Sequence, residues 1–321
     1  MLKKDMYKIS LFFRILILTS ILACSKDNYN TGINSSNNEG NQVVVNAKQF
    51  NFPSDNYIMV AAHRAGGFTH SIPENSLSAI ANALELGVDI IEIDVRITLD
   101  HKLVVIHDKT LNRTTNGSGK VSHHTLEQIK NLFLKDGSGA LTNEKVPTLE
   151  EVMNAVGNTA LVFIDKSEYL LEYVIPVLET TSSYQNALFM DFIEFDRANA
   201  KYKNLLQKSY YVPGVHDSNA DLDAYYSGFK DGLKPNPAAF AFWFKNENNS
   251  KSFSLIENAL DNDIPVWINT TTNNQCAGHT DEVSLLNPES GWGWVLNQGA
   301  KIIFTDEPEA LIDYLNTEGL R

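Results

Sequence analysis

The stretch Ile90-Ile91-Glu92-Ile93-Asp94-Val95 sets two acids, two positions apart, inside an otherwise aliphatic run. On a strand, side chains two apart project to the same face, so both carboxylates lie together. A polar corner at 98–102 follows, then a second apolar run, Leu103-Val104-Val105-Ile106, which ends at His107-Asp108. About five residues cannot house a crossover helix, so the two runs are expected to pair as an antiparallel hairpin. With Asp100-His101 as the tight turn, pairing counts outward as 99 with 102 and 98 with 103, until His107 lands opposite Asp94. Two carboxylates and an imidazole converging at one strand end point to a metal-assisted catalytic site.

Outward from this hairpin, strand-like runs recur at 57–62, 88–94, 160–165, 187–190, 209–212, 239–244, 265–269 and 301–305. Most are separated by segments of helical periodicity. In 76–86, Leu77, Ile80, Ala81 and Leu84 share a face, with Asn75 as expected N-cap and Gly87 as C-terminal stop. In 148–156, Thr148 and Glu151 form a capping-box signature. Eight strands alternating with helices favour a parallel (β/α)8 TIM barrel of the α/β class, with an open doubly wound sheet as the alternative. No GxGxxG or GxxxxGK follows an early strand, which argues against a nucleotide site. Barrel chemistry sits at the C-terminal strand ends. Those ends carry His63-Arg64, Glu92 and Asp94, Asp165-Lys166, Asn269 and Thr305-Asp306, and the hairpin returns His107 to the same rim. Residues 109–158 are expected to form a small insertion over the barrel.

The N-terminus differs in kind. Residues 1–23 join a basic start (Lys3, Lys4, Lys8) to an apolar segment too short and interrupted for a spanning helix, the pattern of a secretory signal. They end at Ile21-Leu22-Ala23-Cys24, which resembles a lipobox, so Cys24 is the expected lipidated residue of a bacterial envelope protein, periplasmic or at the cell surface. Residues 24–50 are rich in Asn, Ser and Gly, as a flexible tether is, and leave 51–321 as the domain. The first 23 residues hold four basic groups and one acidic group, so the net charge of −13 becomes −16 without them. Such a chain lacks the basic face that nucleic acid needs. Only Cys276 remains besides Cys24, which excludes a disulfide within the mature domain and favours a buried thiol.

The motifs resemble, in order, those of the glycerophosphodiester phosphodiesterase family. They are His63-Arg64, Pro73-Glu74-Asn75-Ser76, Glu92-Ile93-Asp94-Val95, His107-Asp108, Leu111-Asn112-Arg113-Thr114-Thr115 and Val146-Pro147-Thr148-Leu149-Glu150-Glu151. Val266-Trp267-Ile268-Asn269 and Ile303-Phe304-Thr305-Asp306-Glu307-Pro308 agree late in the chain. The resemblance spans about 58–315 and implies a metal-dependent barrel that splits glycerophosphodiesters into glycerol 3-phosphate and an alcohol. It implies His63 and His107 as catalytic residues, Glu92 and Asp94 as metal ligands, and Arg64 on the phosphate. The family's Glu-x-Lys is here Ile164-Asp165-Lys166; Asp165 is taken as the third ligand and Lys166 as a phosphate contact. His-Arg-Gly is here interrupted by Ala65. Trp267 is expected to border the substrate, and His279 is an open candidate.

A phosphodiester repels nucleophiles, and an all-oxygen carboxylate site suits Mg²⁺ or Ca²⁺ to offset that charge. Two imidazoles can take opposite protonation states near neutral pH, as acid and base. Which histidine is which stays open at this stage, as does the nucleophile. The alternatives are a phospholipase or sphingomyelinase D-like activity on intact lipid, or a non-catalytic lipoprotein that binds phosphorylated head groups or glycans. No obligate protein partner is inferred.

Overall fold

The computed structural model describes residues 45–46, 48–66, 71–202, 205–216, 221–234, 236–248 and 250–321. The signal segment, Cys24 and nearly all of the expected tether lie outside them. Eight parallel strands close into a barrel: β1 (Met59–Ala62), β2 (Ile90–Ile97), β3 (Leu161–Asp165), β4 (Ala187–Asp191), β5 (Tyr210–His216), β6 (Phe240–Trp243), β7 (Val266–Asn269) and β8 (Ala300–Thr305). Closure comes from β1, which pairs with β8 on one side and β2 on the other. Each coincides with one expected aliphatic run, within a few residues at its ends.

The two-residue period sorts the side chains. Val60, Ile91, Ile93, Val162, Ile164, Phe240, Phe242 and Ile268 pack outward under the helices. Met59, Ala61, Ile90, Phe163, Leu188, Val212, Ala241, Trp267, Ile302 and Phe304 fill the barrel interior as a separate apolar cluster. Aromatic bulk opposite alanine keeps that interior closed, so the barrel is a filled support rather than a pore. Glu92 and Asp94 follow Ile90 at the same spacing and therefore end this inward column at the C-terminal mouth.

The hairpin exists, with a register one residue from expectation. Val95 faces Val105, Arg96 faces Val104 and Ile97 faces Leu103. The loop has three residues, Leu99-Asp100-His101, with His101 in the left-handed region at φ 59°. The Thr98 hydroxyl accepts from the Lys102 N–H at 2.9 Å and donates to Asp100 at 2.6 Å. This side-chain-locked corner outcompetes the two-residue turn. Ile106, rather than His107, consequently donates to the Asp94 carbonyl (2.9 Å).

The excursion after the hairpin has its own small core of Val104, Ile106, Leu111, Val121, Ile129, Leu134 and Val146. The helix Leu149–Val156, begun by the Thr148–Glu151 capping box, instead packs its Leu149, Val152, Met153 and Val156 into the main core. In the first helix, Leu77–Leu86, the cap is Ser76, whose hydroxyl accepts from Ala79 at 3.0 Å, rather than Asn75. Asn75 is committed elsewhere.

Candidate active site

The acids of the opening motif meet a third. Asp94 and Asp165 are register partners on β2 and β3. Glu92, Asp94 and Asp165 each offer an oxygen within 4.8 Å of the others. Asp94 is fully buried and is gripped by Asn75, whose Nδ2 donates to Oδ2 at 2.8 Å while its Oδ1 accepts the Asp94 N–H at 3.2 Å. Asn75 makes that reach from a left-handed conformation (φ 60°), which asparagine tolerates better than most residues. Glu92 Oε2 accepts the Arg64 N–H at 2.7 Å. Arg64 and Ala65 both have positive φ (48° and 62°), so the segment after β1 turns sharply before its first glycine. The Ala65 that separates His-Arg from Gly thus occupies a left-handed position.

Burial, with Asp94 and Asp165 close by, pushes the Glu92 carboxyl well above its ordinary range. Burial would raise Asp94 too, but Lys166, His107 and the Asn75 amide hold it below its ordinary value. Lys166 has φ 59°, and this turn brings its ammonium back to the acids, in contact with Asp94 and 3.1 Å from Asp165. A regular strand would have sent it the other way. Three clustered carboxylates need cationic charge to ionise together. The all-oxygen donor set suits a hard divalent cation.

Two imidazoles open on the same cavity, each held through Nδ1 by a carboxylate. His63 Nδ1 lies 2.6 Å from Asp306 Oδ1, and His107 Nδ1 lies 2.7 Å from Asp108 Oδ1. A carboxylate at Nδ1 fixes ring orientation and tautomer. Burial lowers the His107 pKa, with Lys166 and Arg64 adding to it against the upward pull of Asp108 and Asp94. His107 left the hairpin ladder, yet Arg96 secures its backbone: Nε and Nη2 donate to the His107 carbonyl at 3.0 and 2.7 Å.

Behind Asp108 stands Arg113, which also grips Glu74 through two bonds of 2.8 Å. Glu74 in turn receives the Arg64 guanidinium at 3.2 Å, and Arg64 Nε is 3.7 Å from Asp94. Arg64 therefore borders a neighbouring cavity shared with Glu74, Arg113 and His107, and the guanidinium is engaged with acids. Behind Asp306 stands Asp281. Its buried carboxylate accepts from Thr270 (2.6 Å), Trp292 Nε1 (2.8 Å), Thr305 (2.8 Å) and the Asp306 N–H (2.8 Å). Burial raises the Asp281 pKa, opposed by those same hydrogen bonds.

The central cavity, about 470 Å³, is bordered by His63, Glu92, His107, Asp165 and Lys166, and beyond them by Tyr169, Phe192 and Trp243. Trp267 is not on its surface. It is wholly buried one layer below, because its position two residues before the strand end leaves Asn269 at the mouth, accepting the indole N–H at 2.7 Å. Its ring supports the floor against Phe163 and Phe304. His279 stacks flat on Trp294 (3.7 Å, 4°), with Nδ1 2.5 Å from the Ser290 carbonyl, and does not border the cavity. Cys276 is buried, which pushes its thiol up to about 12. Asn75, Arg96, Asp281 and the two aspartates behind the histidines were not singled out from sequence as site residues. Asn75, Asp108 and Asp306 stand in the quoted motifs, whereas Asp281, in the segment after the seventh strand, lies outside them.

The structure is thus a closed parallel barrel with an acidic triad and two carboxylate-held imidazoles at its C-terminal mouth. Residues 63–173 match the glycerophosphoryl diester phosphodiesterase family, and residues 211–315 match a domain of unknown function. A glycerophosphodiester phosphodiesterase of Caldanaerobacter subterraneus is 48% identical over 102 residues, covering 31% of this chain and 41% of the relative. One from Bacillus subtilis is 38% identical over 132 residues, covering 37% of this chain and 43% of the relative. The aligned segment thus spans about two fifths of the length of these relatives. Over nearly the whole barrel, a glycerophosphoryl diester phosphodiesterase from Parabacteroides distasonis superposes with TM-score 0.67 at 23% identity, covering 86% of this chain and 94% of that one. A phosphodiesterase from Oleispira antarctica, solved in complex with the product sn-glycerol-3-phosphate, gives TM-score 0.57 at 21% identity, covering 80% and 96%. Over residues 63–173 the chain is thus similar in sequence to the glycerophosphoryl diester phosphodiesterase family, and over the barrel as a whole it shares their fold.

Proposed function

We propose that the protein hydrolyses glycerophosphodiesters to glycerol 3-phosphate and an alcohol, using one divalent cation and the histidines His63 and His107. The observation that carries this reading is the convergence on one cavity of the Glu92, Asp94 and Asp165 oxygens with two imidazoles, each tied at Nδ1 to its own aspartate. Glu92, Asp94 and Asp165 would hold Mg²⁺ or Ca²⁺, which supplies charge neutralisation at the phosphoryl oxygens when bound. Lys166 and Arg64 add positive charge at the triad's edge. With Nδ1 engaged, each histidine presents Nε2 to substrate. One imidazole accepts the proton of the attacking hydroxyl, and the other delivers a proton to the leaving oxygen.

The test is release of glycerol 3-phosphate from a panel of glycerophosphodiesters with Mg²⁺, Ca²⁺ and EDTA. Turnover that EDTA abolishes and either ion restores is expected; headgroup binding with no hydrolysis under any condition overturns the reading. Cleavage of intact phospholipid in preference to the deacylated diesters would favour the D-type lipase alternative. We further propose that Cys24 is lipidated and holds the domain at the bacterial envelope. Cys24→Ala is expected to move the protein to the soluble fraction, and unchanged membrane fractionation sinks that idea.

A further inference from the structure

The returning arm of the hairpin delivers His107, and the acid-bearing strand β2 fixes where that arm ends. Antiparallel pairing stops at Val95 with Val105, and the Ile106 N–H then donates to the Asp94 carbonyl at 2.9 Å. The His107 carbonyl lies beyond this ladder. Arg96 reaches it from the side: Nε and Nη2 both donate to that one oxygen, at 3.0 and 2.7 Å. Glu92, Asp94 and Arg96 are spaced by two along β2, so the arginine follows the acids on the same strand face. Among the described residues the Arg96 side chain has no acidic partner, and its charged donors are spent on a neutral peptide. That peptide joins His107 to Asp108, whose Oδ1 lies 2.7 Å from His107 Nδ1. One fork therefore grips the unit from which both the ring and its orienting carboxylate hang.

We propose that Arg96 is a positioning residue, which sets the placement of the His107 ring over Glu92, Asp94 and Asp165 by pinning the 107–108 peptide to the strand that bears two of those acids. The proposal rests on the phosphodiesterase reading, in which His107 moves a proton, and adds what holds that ring in place. A planar guanidinium with two donors on one oxygen defines direction as well as distance, and a charged donor bonds more strongly than a neutral one. Because ring and carboxylate share the pinned peptide, loss of Arg96 moves them together. The contact between His107 and Asp108 survives, and its placement over the acids changes. Burial, Asp108, Asp94, Lys166 and Arg64 govern the ionisation of His107, so Arg96 acts through geometry rather than through its charge. A misplacement of about 1 Å at a reacting group costs on the order of 10²-fold in rate.

The experiment measures kcat, KM and the pH profile of Arg96→Met and Arg96→Lys on a glycerophosphodiester, with crystal structures of the unaltered protein and of Arg96→Met alongside. In Arg96→Met, kcat is expected to fall by about ten- to a hundredfold, with KM changed by less than about twofold and the midpoints of the pH profile unmoved. Arg96→Lys, with one charged donor in place of the fork, should lose only severalfold. The Arg96→Met structure should show the 107–108 peptide displaced from β2 with the contact from Nδ1 to Asp108 kept. Near-normal kcat in Arg96→Met, or a peptide that has not moved, overturns the proposal. A shifted pH midpoint or a lost Nδ1 contact also overturns it, because the imidazole and its carboxylate would then have come apart. If Arg96→Met does not fold, Arg96→Lys decides: a severalfold loss confined to kcat supports the assignment, and an unchanged kcat overturns it. If the unaltered protein turns over no ester, the phosphodiesterase reading fails by itself, and the position of the 107–108 peptide in Arg96→Met decides the role of Arg96.

Discussion

His107 and His63 face one cavity and are held at the same ring nitrogen by an aspartate, yet their supports differ in almost every physical respect. The His107 support is ionic and graded in burial: Asp108 and Arg113 are partly exposed, whereas Glu74 and Arg64 behind them are largely buried. The His63 support crosses 243 positions to Asp306 and rests on Asp281, which is 5% exposed and bound by neutral donors. One imidazole is positioned by a chain of charges that runs from the rim inward, the other by a buried cluster of neutral donors around one acid. Charge at a rim is screened by salt and water, whereas a buried acceptor is costly to leave unpaired. The two supports should therefore fail in different ways.

The largest effect should come from the imidazoles and the acids between them. His63→Ala or His107→Ala is expected to lower kcat on the order of 10²–10⁴-fold, with divalent-ion affinity retained in calorimetry. Glu92→Ala or Asp94→Ala should lose turnover and ion affinity together. A histidine variant with near-normal turnover would remove that ring from the mechanism and dissolve the comparison.

Next in size is the loss of the long-range support. Asp306→Asn should lower kcat by roughly 10²-fold, because an amide at Nδ1 no longer favours the working tautomer, with a much smaller change in KM. Asp281→Asn leaves four buried donors facing an amide with one acceptor. It should cost about 2–3 kcal/mol in denaturant unfolding, with a further loss of kcat as Asp306 loosens. Full stability and activity in Asp281→Asn would show that Asp306 needs no backing.

The smallest effect belongs to the ionic fork. Arg113→Met should cost about 1–2 kcal/mol of stability, because the buried Glu74 carboxylate keeps only Arg64, and should reduce kcat severalfold, more at low than at high salt. Arg113 first, and then His107, hold the Asp108 carboxyl far below its usual range. A depressed folded-state value means that this stabilisation is present above the ordinary aspartate range and is lost as pH falls through the depressed value. The stability difference between the two proteins should thus close in strong acid. A gap that widens on acidification would contradict the assigned pairing.

Much of this was legible before any coordinate. The eight inward and outward alternations follow from aliphatic runs whose period is two, and Asp165, at the end of the next such run, lies beside Asp94. The hairpin was right in kind but off by one in register, because the turn was decided by the Thr98 hydroxyl and a left-handed His101, a local competition that hydrophobic pattern does not weigh. Asparagine suits both a helix cap and a side-chain clamp, and only the proximity of Asp94 commits Asn75 to the second role. Trp267 lies one layer below the level its motif suggests, since strand position fixes the face but not the depth of the mouth.

The sequence alone determined which side chains share a face: Glu92 with Asp94 on one strand, and His107 beside Asp108 at the end of its returning arm. These are properties of covalent neighbours and of strand pleat, fixed within a few residues of chain. Tertiary structure decided the rest. It joined His63 to Asp306 across the closing strand pair, set Asp281 beneath them, and turned Lys166 back onto the acids through a positive φ. Those outcomes depend on barrel closure and on backbone angles imposed by packing, and neither leaves a periodic mark in the chain.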